Sequence, residues 1–482
     1  MDWLSSFALQ FQAMFSNATP TVSFKPGENT LQGDGTIVGK VYGFDANGDP
    51  LIYSASKPAN GTVVIDSAGN FVYTPSFAAS SADTTDQFTV TVTEANAASH
   101  FHGLMGLFSP GYGSTASVSV TVNRPATAPA QASTKPSPQM SSVPASGDTT
   151  AALQAIFDQL KAGDTLTLAN RTYQHSGVLK IRVAGVTING NGATLQATND
   201  ATSSVQILAD NVSVSNLNLT AALTGARYSA LEQHKLVIAG RGDTVTNVSI
   251  NGSAAAGVFV NGASYFTLNQ VRVSNTRADG IHITNGANNG TVNNAVVTAA
   301  GDDSISMISY EGDGGRIVHD IIVTAPVING TTWGRGLSVV GGQNISYRNV
   351  TVSNTNAAAI YIATEGSPYF TQSVNHVEVI GGTITGANYN SGVVHGAVLV
   401  YSGNAKQTIN DVTISGVTIT STAPTAQRNV GIVVDAGTVS NVKFTNISLK
   451  KTTLTPLITS PNVPKSSYTA SGWTLDGKPI IV

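Results

Sequence analysis

The chain contains no cysteine. That excludes a disulfide scaffold, thiolate zinc sites and cysteine catalysis, and leaves the redox compartment open. Charge is scarce as well: Asp, Glu, Lys and Arg make up 11% of the 482 residues, against roughly 25% in an average soluble domain. A net charge of −3 from 24 basic and 27 acidic residues excludes a strongly basic nucleic-acid binder and an acidic, disordered chain. No apolar run reaches the roughly 20 residues that span a bilayer. Helix-favouring Lys and Glu are few, while Val, Ile, Thr, Ser, Asn, Ala and Gly dominate. Strands and turns are therefore expected to outweigh helices.

Residues 1–17, MDWLSSFALQFQAMFSN, lack the basic n-region of a secretory signal. Trp3, Phe7, Phe11 and Met14 recur at steps of four, four and three, the pattern of an amphipathic helix. The reading is a helix over 1–18 that either packs on its own domain or docks to a partner or assembly.

Residues 19–123 alternate short β runs, such as TIVGKVYGF (36–44), NFVYTP (70–75) and DQFTVTVTE (86–94), with Asp-Pro, Asn-Gly and Ala-Gly-Asn turns. Period-2 alternation of this kind predicts an immunoglobulin-like sandwich. DANGDPLIYSASKPANGTVVIDSAGNFVYTP and DQFTVTVTEAN resemble cadherin-like or bacterial immunoglobulin-like repeats of surface proteins, and HFHGLMGLFSPGYGSTASVSVTV resembles insertions in such domains of mycobacterial proteins. Asp45, Asn47 and Asp49 have hard-oxygen spacing suited to Ca²⁺, with a plain turn as the alternative. Residues 124–146, rich in Pro, Ala and Ser, read as a semi-stiff linker.

From Gly147 the pattern changes. A helix capped by Thr149 or Thr150 presents Leu153, Ile156, Phe157 and Leu160 on one face. Small apolar tetrads then recur: GVFV at 257, GIHI at 280, SISM at 304, GLSV at 336, AIYI at 359, AVLV at 397 and GIVV at 431. A second set lies between them: QVRV at 270, AVVT at 295, DIIV at 320, NVTV at 349, HVEV at 376, DVTI at 411 and NVKF at 441. A period in the twenties with two or three short strands per repeat indicates a β-solenoid. The Leu/Asn consensus of a leucine-rich repeat is missing, which leaves a parallel β-helix over 147–450. The helix near Thr150 would cover its first open edge. Residues 451–482 lack the repeat and read as a cap or tail.

Alternation places the third residue of each tetrad outward, giving a column Phe259, His282, Ser306, Ser338, Tyr361, Leu399, Val433. Asp279, Asp303 and Arg335 share one position just before consecutive tetrads, and Asp302 precedes Asp303. Strict parity would point Asp279 and Asp303 inward; the turn is expected to swing them out. Crowded carboxylates push one pKa up, as a general acid working near neutrality requires.

NTRADGIHI (275–283), AGDDSISM (300–307) and WGRGLSV (333–339) resemble the motif block of glycoside hydrolase family 28, the polygalacturonases. The resemblance implies a right-handed β-helix and an inverting hydrolase, in which Asp302 matches the general acid and Asp279 with Asp303 the pair that activates water. Arg277 and Ala278 interrupt the family's NTD motif. Arg335 replaces its histidine, and Tyr361 and Ala363 stand where its uronate-binding RIK residues would be, which favours a glycan other than pectin. Trp333, Tyr310, Tyr361 and Tyr401 offer faces for sugar stacking; His282, Glu365 and Arg335 are further substrate-binding candidates. Catalytic, binding-only and purely structural readings of the carboxylates stay open. No cofactor and no metal are implied.

The fold class expected is thus mostly β: a short N-terminal helix, a sandwich, and a parallel β-helix. The order resembles a phage tail spike or minor tail protein with an actinobacterial host, working outside the cell on a polysaccharide or cell-envelope glycan and self-associating, as trimeric spikes do. A receptor-binding virion protein without activity, and a bacterial surface hydrolase or lyase, are the alternatives.

Overall fold

The computed structural model describes residues 18–31, 36–46, 49–59, 61–66, 68–75, 84–95, 115–124 and 143–482. The expected N-terminal helix, Asn47 and most of the linker lie outside these residues. The chain divides into two compact units, residues 1–135 and 136–482.

The first unit holds two antiparallel sheets. Thr21–Phe24, Ile37–Phe44, Asn70–Pro75 and Gly61–Ile65 pair in that order, and Leu51–Ala55, Thr84–Glu94 and Thr115–Arg124 form the second. Alternate residues turn inward: Ile37, Val41, Phe71 and Tyr73 from one sheet meet Phe88, Val90, Val120 and Val122 from the other, with Phe71 and Phe88 edge to face at 5.3 Å. This is the expected sandwich. Asp45 accepts from the Asp49 amide at 3.1 Å, as in a turn. Glu94 joins these two residues, with carboxylate oxygens of all three within 4.8 Å of one another.

In the second unit, helix Thr150–Gln159 buries Leu153, Ile156 and Phe157, with Leu160 just beyond it in the same core. Its cap differs from expectation. The Thr149 hydroxyl turns to Gln174 O, and the Asp148 carboxylate accepts from Thr150 N (3.0 Å) and Thr150 Oγ1 (2.5 Å). The helix packs its apolar stripe on the first coil.

The solenoid that follows is a stack of parallel strands. One sheet runs Leu179–Ile181, Val205–Ile207, Leu236–Ile238, Val258–Asn261, Ile281–Thr284, Ile305–Ile308, Leu337–Val340, Ile360–Thr364, Val398–Ser402, Arg428–Val434 and Thr455–Thr459. The remaining strands form two further faces hydrogen-bonded in the same way, except that Lys478–Pro479 turns back antiparallel on Thr474–Leu475. The interior is a continuous column of Val, Ile and Leu, each coil covering its neighbour.

Three turn columns fix the corners. Asn216, Asn247, Gln270, Asn294, Ala325, Asn349, Gly381, Gly416, Asn446 and Gly472 stack in register, all with positive φ. A second column contains Asn289, Asp320, Asn344, His376, Asp411 and Asn441, and a third Gly252, Asn275, Ala299, Gly330, Asn354 and Gly386. Asn and Gly tolerate this left-handed region best, and Asn side chains bond along the column, as Asn247 Nδ2 does to Asn216 Oδ1 at 2.8 Å.

The turns explain three departures from the sequence reading. The second set of tetrads is two sets: QVRV, AVVT and NVTV lie on one face, and DIIV, HVEV, DVTI and NVKF on another. Most of them open on a left-handed residue and then alternate, so their local patterns coincide. The outward column continues from Leu399 to Gly431, not Val433, which pairs instead with Tyr401. The repeat also runs past residue 450. Thr455–Thr459, Tyr468–Ser471 and Thr474–Leu475 add a further coil, in strands too short and polar to show the apolar tetrad.

Candidate active site

Asp279, Asp303 and Arg335 stack in register, and their side chains turn toward the outward column of the following strands. Asp279 Oδ2 receives Ser306 Oγ at 2.6 Å and pairs with His282 Nδ1 at 2.5 Å. Asp303 Oδ2 receives Ser338 Oγ at 2.6 Å; its Oδ1 receives the Arg335 amide at 2.7 Å and lies 3.3 Å from Arg335 Nε. Parity does break at the turn, and serines on the next strand satisfy both carboxylates.

Asp302 differs. Its Oδ2 pairs with Arg227 Nη2 at 2.7 Å, while its buried Oδ1 has no hydrogen-bond partner. Burial raises its pKa, the charges of Asp303 and Asp279 raise it further, and Arg227 only partly offsets them, leaving it at about 7. For Asp279, burial opposes ionisation, but the His282 charge, hydrogen bonds from His282 and Ser306, and Arg227 outweigh it and hold the carboxyl below its usual value. Neighbouring carboxyls are thereby driven in opposite directions.

These groups form the base of a groove of about 540 Å³ that is also lined by His282, Tyr310, Trp333, Arg335 and Glu365. Eight of the ten residues singled out in the sequence therefore meet in one place. Tyr361 and Tyr401 do not line it. Tyr361 is buried, covered by the Arg335 guanidinium 4.2 Å from its ring centre, and stacks between His395 and Tyr401. Tyr401 bonds to Asp435 Oδ2 at 3.0 Å. An outward position on a strand is exposed only when nothing longer folds over it, and here Arg335 does. The three aspartates are likewise buried, not exposed, at 3–9% accessibility.

Arg335 is paired on two sides. Besides Asp303 and Tyr361, it donates to Glu365 Oε1 at 3.1 Å, which also receives the Tyr361 hydroxyl at 3.0 Å.

The groove walls come from residues that the repeat does not predict. Arg227, Tyr228, Ser229 and His234 belong to one loop, Asp313 and Arg316 to a second, and Tyr369 to a third. His234 stacks on Phe259 at 3.9 Å, and Phe259 on His282 at 5.2 Å. Burial, then the His282 charge, depresses His234 to about 3, so it is neutral. Its Nδ1 accepts from Ala256 N at 3.0 Å, which puts the ring proton on Nε2. Trp333 and Tyr369 are more than half exposed. The only sequence signal for Arg227 was the rarity of charge itself.

Residues 17–102 match the bacterial Ig domain family. No curated protein matches the sequence. Among solved structures, the chain is similar to the catalytic unit of a thermostable GH87 alpha-1,3-glucanase from Streptomyces thermodiastaticus strain HF3-3, at 16% identity and a TM-score of 0.53, covering 95% of this chain and 97% of that one. It is also similar to the Agl-KA catalytic domain, at 14% identity and a TM-score of 0.52, covering 95% and 94%. At these identities the likeness is one of fold. Among the described residues, no helix is long and apolar enough to cross a membrane.

Proposed function

We propose that the groove is the active site of a glycoside hydrolase acting on a neutral polysaccharide outside the cell. The observation that carries the reading is two buried carboxyls at the base of one groove, Asp302 with one oxygen left without a hydrogen bond and Asp279 held by His282 and Ser306. Asp302, a carboxyl that still holds its proton near neutral pH, donates it to the glycosidic oxygen as the bond to the anomeric carbon breaks. Asp279, ionised and braced by His282 and Ser306, takes a proton from water as the water oxygen attacks that carbon. Asp303 has both oxygens engaged by Arg335 and Ser338. Its role in this proposal is to hold Arg335 and raise Asp302, in place of the shared water-activating role that the family resemblance implies.

Neutral substrate is favoured because the deepest cation of the groove, Arg335, is already paired with Asp303 and Glu365. A uronate would find no free buried cation among the described groove residues. The glucanase of similar fold makes α-1,3-glucan the first polymer to try. A tail-spike setting belongs to the same proposal, supported by the pairing of an Ig-like unit with a groove-bearing solenoid.

The test is incubation of the purified chain with α-1,3-glucan and with actinobacterial envelope polysaccharide, followed by a reducing-end assay. New ends made by wild type and lost in Asp302→Asn support the proposal. Binding without new ends overturns hydrolysis in favour of a glycan-binding protein, and an ultraviolet-absorbing unsaturated product would reveal a lyase.

A further inference from the structure

We propose that Arg277 is a positioning residue whose buried guanidinium holds the loop that delivers Arg227 to Asp302. The inference rests on the reading of Asp302 as the acid of the groove. Arg227 lies on the irregular loop 221–230, part of a coil that takes 31 residues from Val205 to Leu236. Strand pairing cannot hold such a segment. Its carbonyls converge instead on one side chain. Arg277 Nη2 donates to Ala222 O (2.8 Å) and Thr224 O (2.6 Å), and Nη1 donates to Ala226 O (3.0 Å) and Asp200 Oδ2 (2.5 Å). Alternate carbonyls of the loop thus fan around a planar fork, a geometry that Arg supplies and Lys does not.

The seat is built for it. The Arg277 side chain is 6% exposed. Gly225 lies against it at φ +141°, where a Cβ would stand 2.7 Å from Nη1 and 2.8 Å from Cζ. Only glycine fits, on both counts. Arg227 follows Ala226 directly and reaches Asp302 with a side chain that is half exposed. Left to itself, a half-exposed ion pair is worth little; an anchored loop removes most of the entropy that it would otherwise lose. Arg277 and Ala278 are the two residues that interrupt the NTD resemblance. The interruption places a clamp two residues from Asp279, and Ala278 O receives the Asp302 amide at 3.1 Å. One turn therefore sets the base of the groove, the acid and the cation that faces the acid.

Arg227 is the cation that lowers Asp302, against Asp303 and Asp279, which raise it. Releasing the loop should act on Asp302 as loss of Arg227 does. Arg277→Lys, Gly225→Ala, Arg227→Gln and the double variant Gly225→Ala/Arg227→Gln would be compared by carbon NMR of ¹³C-labelled aspartate, with Asp302→Asn assigning the signal. The expected result is that both clamp variants and Arg227→Gln move the Asp302 titration upward by about one pH unit, the low end for a charge at contact distance, and that the double variant moves it no further. An unmoved midpoint in folded Gly225→Ala, or an additive shift in the double variant, overturns the inference. Gly225→Ala decides if Arg277→Lys does not fold. Since the readout needs no turnover, a wild type that cleaves nothing would sink hydrolysis while leaving the clamp standing.

Discussion

Gly334 lies against Asp302 with no room for a side chain: a Cβ there would stand 2.2 Å from Asp302 Oδ1 and 2.6 Å from the Asp303 amide nitrogen. The glycine lets one coil press directly on the acid of the coil before it. Gly334→Ala should push the carboxyl aside. Overpacking of this kind costs about 1–3 kcal/mol, and a misplacement of about 1 Å can cost roughly 10²-fold in rate. Circular dichroism should remain that of a β-helix while activity falls; unchanged turnover would show that Asp302 does not need its present position.

Asp302 also gives stability a pH dependence. Its folded pKa of about 7 lies above the roughly 3.9 of an unfolded chain. Its contribution is therefore fully present below about pH 4 and is lost as pH rises through about 7. Asp302→Asn should flatten that fall, so the gap between melting temperatures at pH 5 and pH 8 should narrow. An exposed, uncompensated carboxyl would leave the gap unchanged. Asp279 works in the opposite sense: its lowered pKa stabilises above the unfolded value and is lost on acidification.

On the hydrolase reading, Asp302→Asn should lower turnover by roughly 10²–10⁴-fold, the usual worth of general acid catalysis, with glycan affinity near wild type. Turnover of the wild type should decline above about pH 7, as Asp302 loses its proton. A rate that climbs steadily through pH 8 would remove Asp302 from the role of acid.

Trp333 and Tyr369 line the groove and are more than half exposed. Ring stacking at about 0.5–1.5 kcal/mol per pair predicts that Trp333→Ala and Tyr369→Ala each weaken glycan binding about 2–10-fold. Affinity electrophoresis in polysaccharide gels would measure it. Tyr401→Phe, outside the groove lining and bonded to Asp435, should leave binding unchanged.

The base of the groove was legible in the sequence because it obeys the repeat. Asp279, Asp303 and Arg335 could be stacked from spacing alone, and His282 and Ser306 fell on one column by alternation. The walls were not legible. Arg227, His234 and Tyr369 sit where coils lengthen, and an insertion has no period to read. Tyr361 misled because parity assigns a side to a residue but not what covers it; the Arg335 guanidinium was the missing neighbour. The two strand sets merged because Gln270, Asp320, Asn349 and His376 all begin their segments in the same left-handed turn.

Coil length varies from 22 residues, between Leu236 and Val258, to 38, between Ile360 and Val398, yet the strands stay in register. The asparagine and glycine corners absorb the difference by ending each strand at a fixed place, whatever precedes the next. A chain built this way separates two kinds of change. Loops such as 309–318 and 366–373, which carry no partner of Asp302, can be lengthened, shortened or exchanged without disturbing the stack beneath them, while the acids stay anchored to the stack. New specificities can then arise by splicing between corners, with the chemistry carried along unaltered.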